Sequence, residues 1–346
     1  MKYLWTIVLS ESFNWRQKDT KGCPFDCGLC GAHRQISCTV LLEVTGRCNL
    51  SCLYCFAAAG NVSAPDPSLD IVQFWFDRVK TAAPACNIQL SGGEPTVRDD
   101  LPQIIEMGRQ SGFSFIQLNT NGLRLAREKG YAEKLKAAGL ASVFLQFDGV
   151  TDDVYRRLRG ADLAAEKMDA ISRCGEAGLG VVLVPMIVPG INDDQLGDIL
   201  EVGIQASPTV RGIHFQPVSY FGRRPVPPKN SDRITLPEIL AGLETQSGGK
   251  VRSDDFSPPG CENALCSFHG RFFISEAGGA QTHCRITDCR CRVPARISGC
   301  RCQAYHFFRC PSVGAGACER DFGCGRAGTG STIPVPPGGR NLIVLR

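Results

Sequence analysis

Residues 40–56 read VLLEVTGRCNLSCLYCF, a β-rich apolar run entering a loop that spaces Cys48, Cys52 and Cys55 as C-x3-C-x2-C. A strand that delivers three thiols at its end puts metal chemistry at one end of a sheet. Cysteine-ligated [4Fe–4S] clusters normally take four thiolates. Three from one short loop leave one iron open, the feature that separates a reactive metal site from a structural one. The loop alone leaves two alternatives standing: a zinc ribbon, or a structural cluster with its fourth ligand elsewhere. Tyr54 and Phe56 flank Cys55 and offer apolar cover against water.

From residue 39 to 240, short apolar runs alternate with segments of helical period. VLLEV, NIQLS, FSFIQLN, SVFLQF, VVLVPMI and IHFQPV are the predicted strands. LDIVQFWFDRVKTA, LPQIIEMGRQS, YAEKLKAAG, AAEKMDAISRCGEAG and DDQLGDILEVGIQA are the predicted helices, with Gly112, Gly139 and Gly178 as stop signals. The repeat is about 30 residues, the length of a βα unit. Six such units predict an α/β fold with a parallel sheet, a partial (β/α)6 TIM-like barrel whose chemistry lies at the C-terminal strand ends.

The second predicted strand ends in Ser91-Gly92-Gly93-Glu94-Pro95-Thr96. Two glycines let a backbone come close to a ligand, and Glu94 offers a carboxylate to a positive group. Taken alone, GGEP is equally a turn. Further strand ends carry Asn119 and Asn121, Gln146 and Asp148, and Val188, Gly190 and Asn192. Each is either a ligand contact or ordinary turn and cap usage. Asp148, beside Gly149, has no evident core role.

The chain has 346 residues, 43% of them hydrophobic, enough for a sizeable core. A net charge of +4 gives no argument for nucleic acid or an anionic membrane. MKYLWTIVLS lacks the pattern of a secretory leader, and the longest apolar stretch, VVLVPMIVPGI, is broken by two prolines. The 19 cysteines are therefore expected to sit in a reducing cytoplasm and to serve metal.

Cys23, Cys27, Cys30 and Cys38, in an N-terminal extension over residues 1–38, follow C-x3-C-x2-C-x7-C. Four thiolates close a site, so this one reads as accessory: mononuclear iron, a fully ligated cluster, or zinc. Residues 241–260, with QSGGK and SPPG, read as a linker. Residues 261–346 hold ten cysteines, eleven arginines, five acidic residues and no lysine. That tail is either a small cysteine-rich metal domain or, after about residue 275, a disordered segment or the product of a reading-frame slip.

C-x3-C-x-aromatic-C followed one βα unit later by GGEP resembles the radical S-adenosylmethionine superfamily. The resemblance implies a [4Fe–4S] cluster on Cys48, Cys52 and Cys55 whose open iron chelates S-adenosylmethionine. It implies cofactor contacts at Gly92, Gly93 and Glu94, with Asn121, Asp148 and Gly190 as further ones. It also implies an electron donor such as ferredoxin or flavodoxin and release of a 5′-deoxyadenosyl radical. Over roughly residues 20–275, CPFDCGLC, QFDG, VPMIVPGINDDQLGDI and IHFQPVSYFGR resemble the group of tetraether lipid synthases and pterin-methylating enzymes. This implies hydrogen abstraction from an unactivated C–H bond, first in the carbon–carbon coupling of lipid tails. The alternatives are a radical methyltransferase-like enzyme on a pterin precursor, a peptide-modifying maturase, and a non-catalytic iron–sulfur protein. A lipid substrate would imply docking at a membrane surface, yet no amphipathic basic helix stands out.

Overall fold

The computed structural model describes residues 38–60, 65–257, 267–270, 272–274 and 280–281. Cys23, Cys27, Cys30 and every cysteine from Cys261 onward lie outside them, as does all of the tail beyond residue 275 except Ala280 and Gln281. Strands β1 (Thr39–Thr45), β2 (Asn87–Gly92), β3 (Ile116–Thr120), β4 (Ser142–Gln146) and β5 (Gly180–Val184) lie side by side in that order. A short β6 (Met186–Ile187) leaves the sheet, and β7 (Val210–Ile213) completes it as the sixth parallel strand beside β5.

Parallel neighbours need long crossovers, and helices fill each one. They are α1 (Leu69–Ala82), α2 (Leu101–Gln110), α3 (Leu123–Arg127) with α4 (Tyr131–Ala137), α5 (Asp152–Arg159) with α6 (Ala164–Glu176), and α7 (Leu196–Gln205). The central strands alternate through their middles. Ile88, Leu90, Ile116, Leu118, Val143, Leu145, Val181 and Leu183 are fully buried in one core with Val72, Phe76, Ile104 and Ile105 of the helices. Gln89, Gln117, Asn119, Phe144 and Gln146 between them are half-buried on the opposite face of the sheet. This is the expected partial (β/α)6 barrel.

Three boundaries differ from expectation. VVLVPMI divides at Pro185, which has no N–H to continue the ladder. β6 then pairs with β8 (Gln216–Pro217), aligning Met186 with Gln216. The IHFQPV run also divides, its first residue closing β7 and its Gln216–Pro217 forming β8. Residues 241–260 begin inside α8 (Leu236–Gln246), started by a Thr235–Glu238 capping box. Leu243 of that helix and Val251 beyond it lie in the main core. The glycines that suggested a linker, Gly248 at φ 61° and Gly249 at φ 78°, are the helix stop. Among the described residues no helix is long and apolar enough to cross a membrane.

A linker residue would tolerate truncation. Leu243→Ala is expected to cost about 2–5 kcal/mol in a denaturant titration, as a fully buried leucine does.

Candidate active site

Cys48, Cys52 and Cys55 sit on the irregular loop that follows β1, at the C-terminal end of the sheet. All three are free thiols, Cys52 buried and the other two half-buried. The Leu50 N–H points at Cys48 Sγ from 3.5 Å. Burial pushes the Cys48 thiol up to about 11, with Glu94 and the other two cysteines adding to the rise and the Leu50 N–H opposing it. A thiolate here therefore needs a cation beside it. Among the described residues no three His, Cys, Asp or Glu side chains are gathered closely enough to hold a metal ion. The donor set of soft sulfurs with an N–H directed at one of them fits an iron–sulfur cluster.

The glycines of GGEP pack against the cysteine loop. A Cβ on Gly92, whose φ is 138°, would lie 2.1 Å from Thr45 O, and one on Gly93 would lie 2.1 Å from Arg47 O. Gly93 N–H donates to Thr45 O and Glu94 N–H to Arg47 O, each at 2.8 Å. The absence of side chains thus lets the end of β2 lie against the cysteine loop itself. Glu94 is 2% exposed, and its oxygens are engaged within the protein. Oε1 accepts from Thr96 N–H (3.1 Å), Thr96 Oγ1 (2.6 Å) and Thr120 Oγ1 (2.7 Å), and Oε2 from Asn121 N–H (2.6 Å). It ties β2 to β3.

Asn121 and Asp148 are brought to the same end of the sheet. Asn121 Nδ2 donates to Asn49 Oδ1 of the cysteine loop at 2.7 Å. Asp148 is fully buried and takes a two-pronged contact from Arg159, both prongs at 2.7 Å. Arg159 also donates to Tyr54 O at 3.1 Å, and Leu53 N–H to Leu158 O at 3.1 Å. Burial opposes the Arg159 charge, but the Asp148 carboxylate outweighs it and holds the guanidinium protonated. Asp148 therefore reaches the cysteine loop through Arg159. Asn192 Nδ2 donates to Asp148 O (2.6 Å) and Met186 O (2.9 Å), locking the turn after β6. Gly190 is the φ 69° residue of that turn, its N–H on Asp193 Oδ1 and its carbonyl taking Arg157. Its hydrogen bonds stay within that turn and α5, away from the cysteine loop.

Two site residues had no sequence signal. Arg159 ends a short helix, DDVYRRLR, that reads as a solvated charged face. Lys167 looks like a surface residue of α6 but is fully buried, with Nζ donating to Asn121 O (2.5 Å) and Gln146 Oε1 (3.3 Å). Burial lowers its pKa to about 8. Cys38 lies at the other end of β1 from Cys48. The seven residues of β1, a strand about 20 Å long, lie between the two in sequence.

An open parallel α/β sheet with a three-thiol loop on its first strand and a Gly-Gly-Glu turn on its second defines the class. Residues 42–202, a little under half of the chain, match the radical SAM superfamily. The 7,8-dihydro-6-hydroxymethylpterin dimethyltransferase of Methanocaldococcus jannaschii is 41% identical over 244 residues, 70% of this chain and 48% of that protein. The GTP 3′,8-cyclase of Alkaliphilus oremlandii is 32% identical over 182 residues, 51% of this chain and 56% of that protein. The chain spans about half the length of these relatives. The solved structure of Streptococcus suis SuiB shares the fold at a TM-score of 0.50 and 15% identity, over 63% of this chain and 49% of its own.

Asp148→Asn leaves the Arg159 charge buried without its partner and should destabilise the protein by about 3–5 kcal/mol, while the Asp148→Met/Arg159→Met pair recovers much of that loss. Lys167 gives a pH signature. Its folded pKa lies below its unfolded value, so the burial penalty is in full force below pH 8 and is relieved as pH rises from about 8 toward 10.5. Unfolding free energies of wild type and Lys167→Met, measured across that window, should shift relative to each other in favour of wild type.

Proposed function

We propose that this protein supplies the radical SAM part of an enzyme that functionalises a C–H bond of a fused nitrogen heterocycle of the pterin class. Cys48, Cys52 and Cys55 would hold a [4Fe–4S] cluster, with the Gly92–Gly93 backbone beside it and S-adenosylmethionine as cosubstrate. When bound, that pair would supply radical chemistry able to take hydrogen from an unactivated carbon, with the electron coming from a donor such as ferredoxin or flavodoxin. The protein's own residues hold the loop, exclude water around Cys52 and present a recognition face.

One observation carries the substrate class: the half-buried face of the sheet is lined by amides. Gln89 Nε2 donates to Gln117 Oε1 (3.2 Å) and Asn119 Oδ1 (2.6 Å), and Gln117 Nε2 to Ser142 Oγ (3.3 Å). Phe144 and His214 meet edge to face beside them, ring centroids 5.2 Å apart. Amides flanked by a flat ring suit a heterocycle whose edge alternates donors and acceptors. An alkyl tail against the same face would offer nothing to the donors and acceptors that these amides do not already spend on one another. The similarity to the pterin dimethyltransferase favours the heterocycle over the lipid as well.

The test is anaerobic. Reconstituted protein with dithionite and S-adenosylmethionine should form 5′-deoxyadenosine, faster when a dihydropterin is added, and Cys48→Ala should form none. Gln89→Leu should keep the basal cleavage and lose the dihydropterin stimulation. Stimulation by an isoprenoid lipid and none by the pterin would reverse the substrate assignment.

A further inference from the structure

The cysteine loop is held by a residue more than 160 positions further along the sequence. β8 runs into Val218-Ser219-Tyr220-Phe221-Gly222-Arg223, and this strap lies antiparallel to the loop. Arg223 N–H donates to Cys55 O (2.9 Å) and Cys55 N–H to Arg223 O (3.0 Å). Its guanidinium donates through Nε to Cys52 O (2.6 Å) and through Nη1 to Ala59 O (2.9 Å). One residue thus makes four hydrogen bonds to a loop with no regular structure of its own. Gly222, at φ 63°, permits the contact, since a Cβ there would lie 2.3 Å from Phe56 O and 2.4 Å from Cys55 O.

We infer that Arg223 is a positioning residue for the three-thiol site, fixing Cys52 and Cys55 relative to one another and setting the electrostatics of what they bind. This rests on the cluster reading proposed above. Loop carbonyls carry partial negative charge, and an iron–sulfur cluster with its thiolates becomes harder to reduce as negative dipoles crowd it. Arg223 draws three carbonyls, those of Cys52, Cys55 and Ala59, onto N–H donors and brings a fixed positive charge to the loop. The adjacent Arg224 makes no such contact, donating to Tyr220 O of its own strap at 3.0 Å. The strap therefore contributes to the site without supplying a ligand.

Three variants of the full-length protein test this: Arg223→Ala, Arg223→Lys and, as a control, Arg224→Ala. The first readout is amide hydrogen exchange over residues 52–59 in the metal-free protein, which needs no cluster. Losing two charge-assisted bonds should speed that exchange about tenfold or more in Arg223→Ala. Arg223→Lys, which can reach only one of the two carbonyls, should fall between, and Arg224→Ala should match wild type. The second readout is the midpoint potential of the reconstituted cluster, which should become more negative in Arg223→Ala and recover partly in Arg223→Lys. Should Arg223→Ala fail to fold, the lysine variant alone must show both intermediate effects. Unchanged exchange in the Arg223 variants, or an equal change in Arg224→Ala, overturns the clamp. An altered exchange with an unaltered potential overturns the electrostatic role. A wild-type protein that shows the protected loop yet binds no cluster overturns the functional reading instead.

Discussion

The contact between Gly92–Gly93 and the Thr45–Arg47 backbone is the constraint on which the site depends. With 2.1 Å between a hypothetical Cβ and a carbonyl oxygen, no other residue fits at either position without moving the loop. Two hydrogen bonds at 2.8 Å then fasten the end of β2 to the entrance of the cysteine loop. Glu94, next in sequence, passes the restraint on to β3 through Thr120 and Asn121. Asn121 returns it to the loop through Asn49, and Lys167 secures Asn121 from beneath. The three thiols are therefore presented by a closed circuit of backbone and buried polar groups across three strand ends. Such a circuit is costly to leave half-satisfied.

The sheet was legible because its central strands alternate through their middles. Leu90, Leu118, Val143 and Leu183 announce one buried face, and Gly stops announce the helix ends. The breaks were harder to read. Pro185 turns one apolar run into two strands of different sheets, since periodicity does not register a missing N–H. Gly248 and Gly249 imitate a linker because a helix stop and a domain boundary use the same residues. The three thiols and GGEP could be found from spacing alone. What each polar residue touches could not. Glu94 and Asp148 read naturally as carboxylates waiting for a ligand, yet one bonds hydroxyls and backbone N–H groups and the other bonds Arg159. Arg159 and Lys167 were invisible because a charged residue on a helix is usually solvated, and only tertiary packing turns it inward.

Two cysteine sets with one spacing stand in different settings. Cys38, the one member of the N-terminal set among the described residues, lies at the start of β1, and Cys48 follows its end. The strand that separates them assigns the triplet to the strand ends where an α/β barrel collects its chemistry. The Gly-Gly-Glu turn and the Asp148–Arg159 pair converge there. Similarity to the pterin dimethyltransferase and the GTP cyclase agrees with that convergence, while this protein spans about half the length of each.

Electron paramagnetic resonance of the reduced, reconstituted protein, recorded with and without S-adenosylmethionine, tests the central claim most directly. A cluster on Cys48, Cys52 and Cys55 with an open iron predicts a signal whose g-values shift when S-adenosylmethionine is added. It also predicts loss of that responsive signal when the three cysteines are replaced by alanine. A signal that ignores S-adenosylmethionine, or a responsive one that survives the triple replacement, would contradict the account.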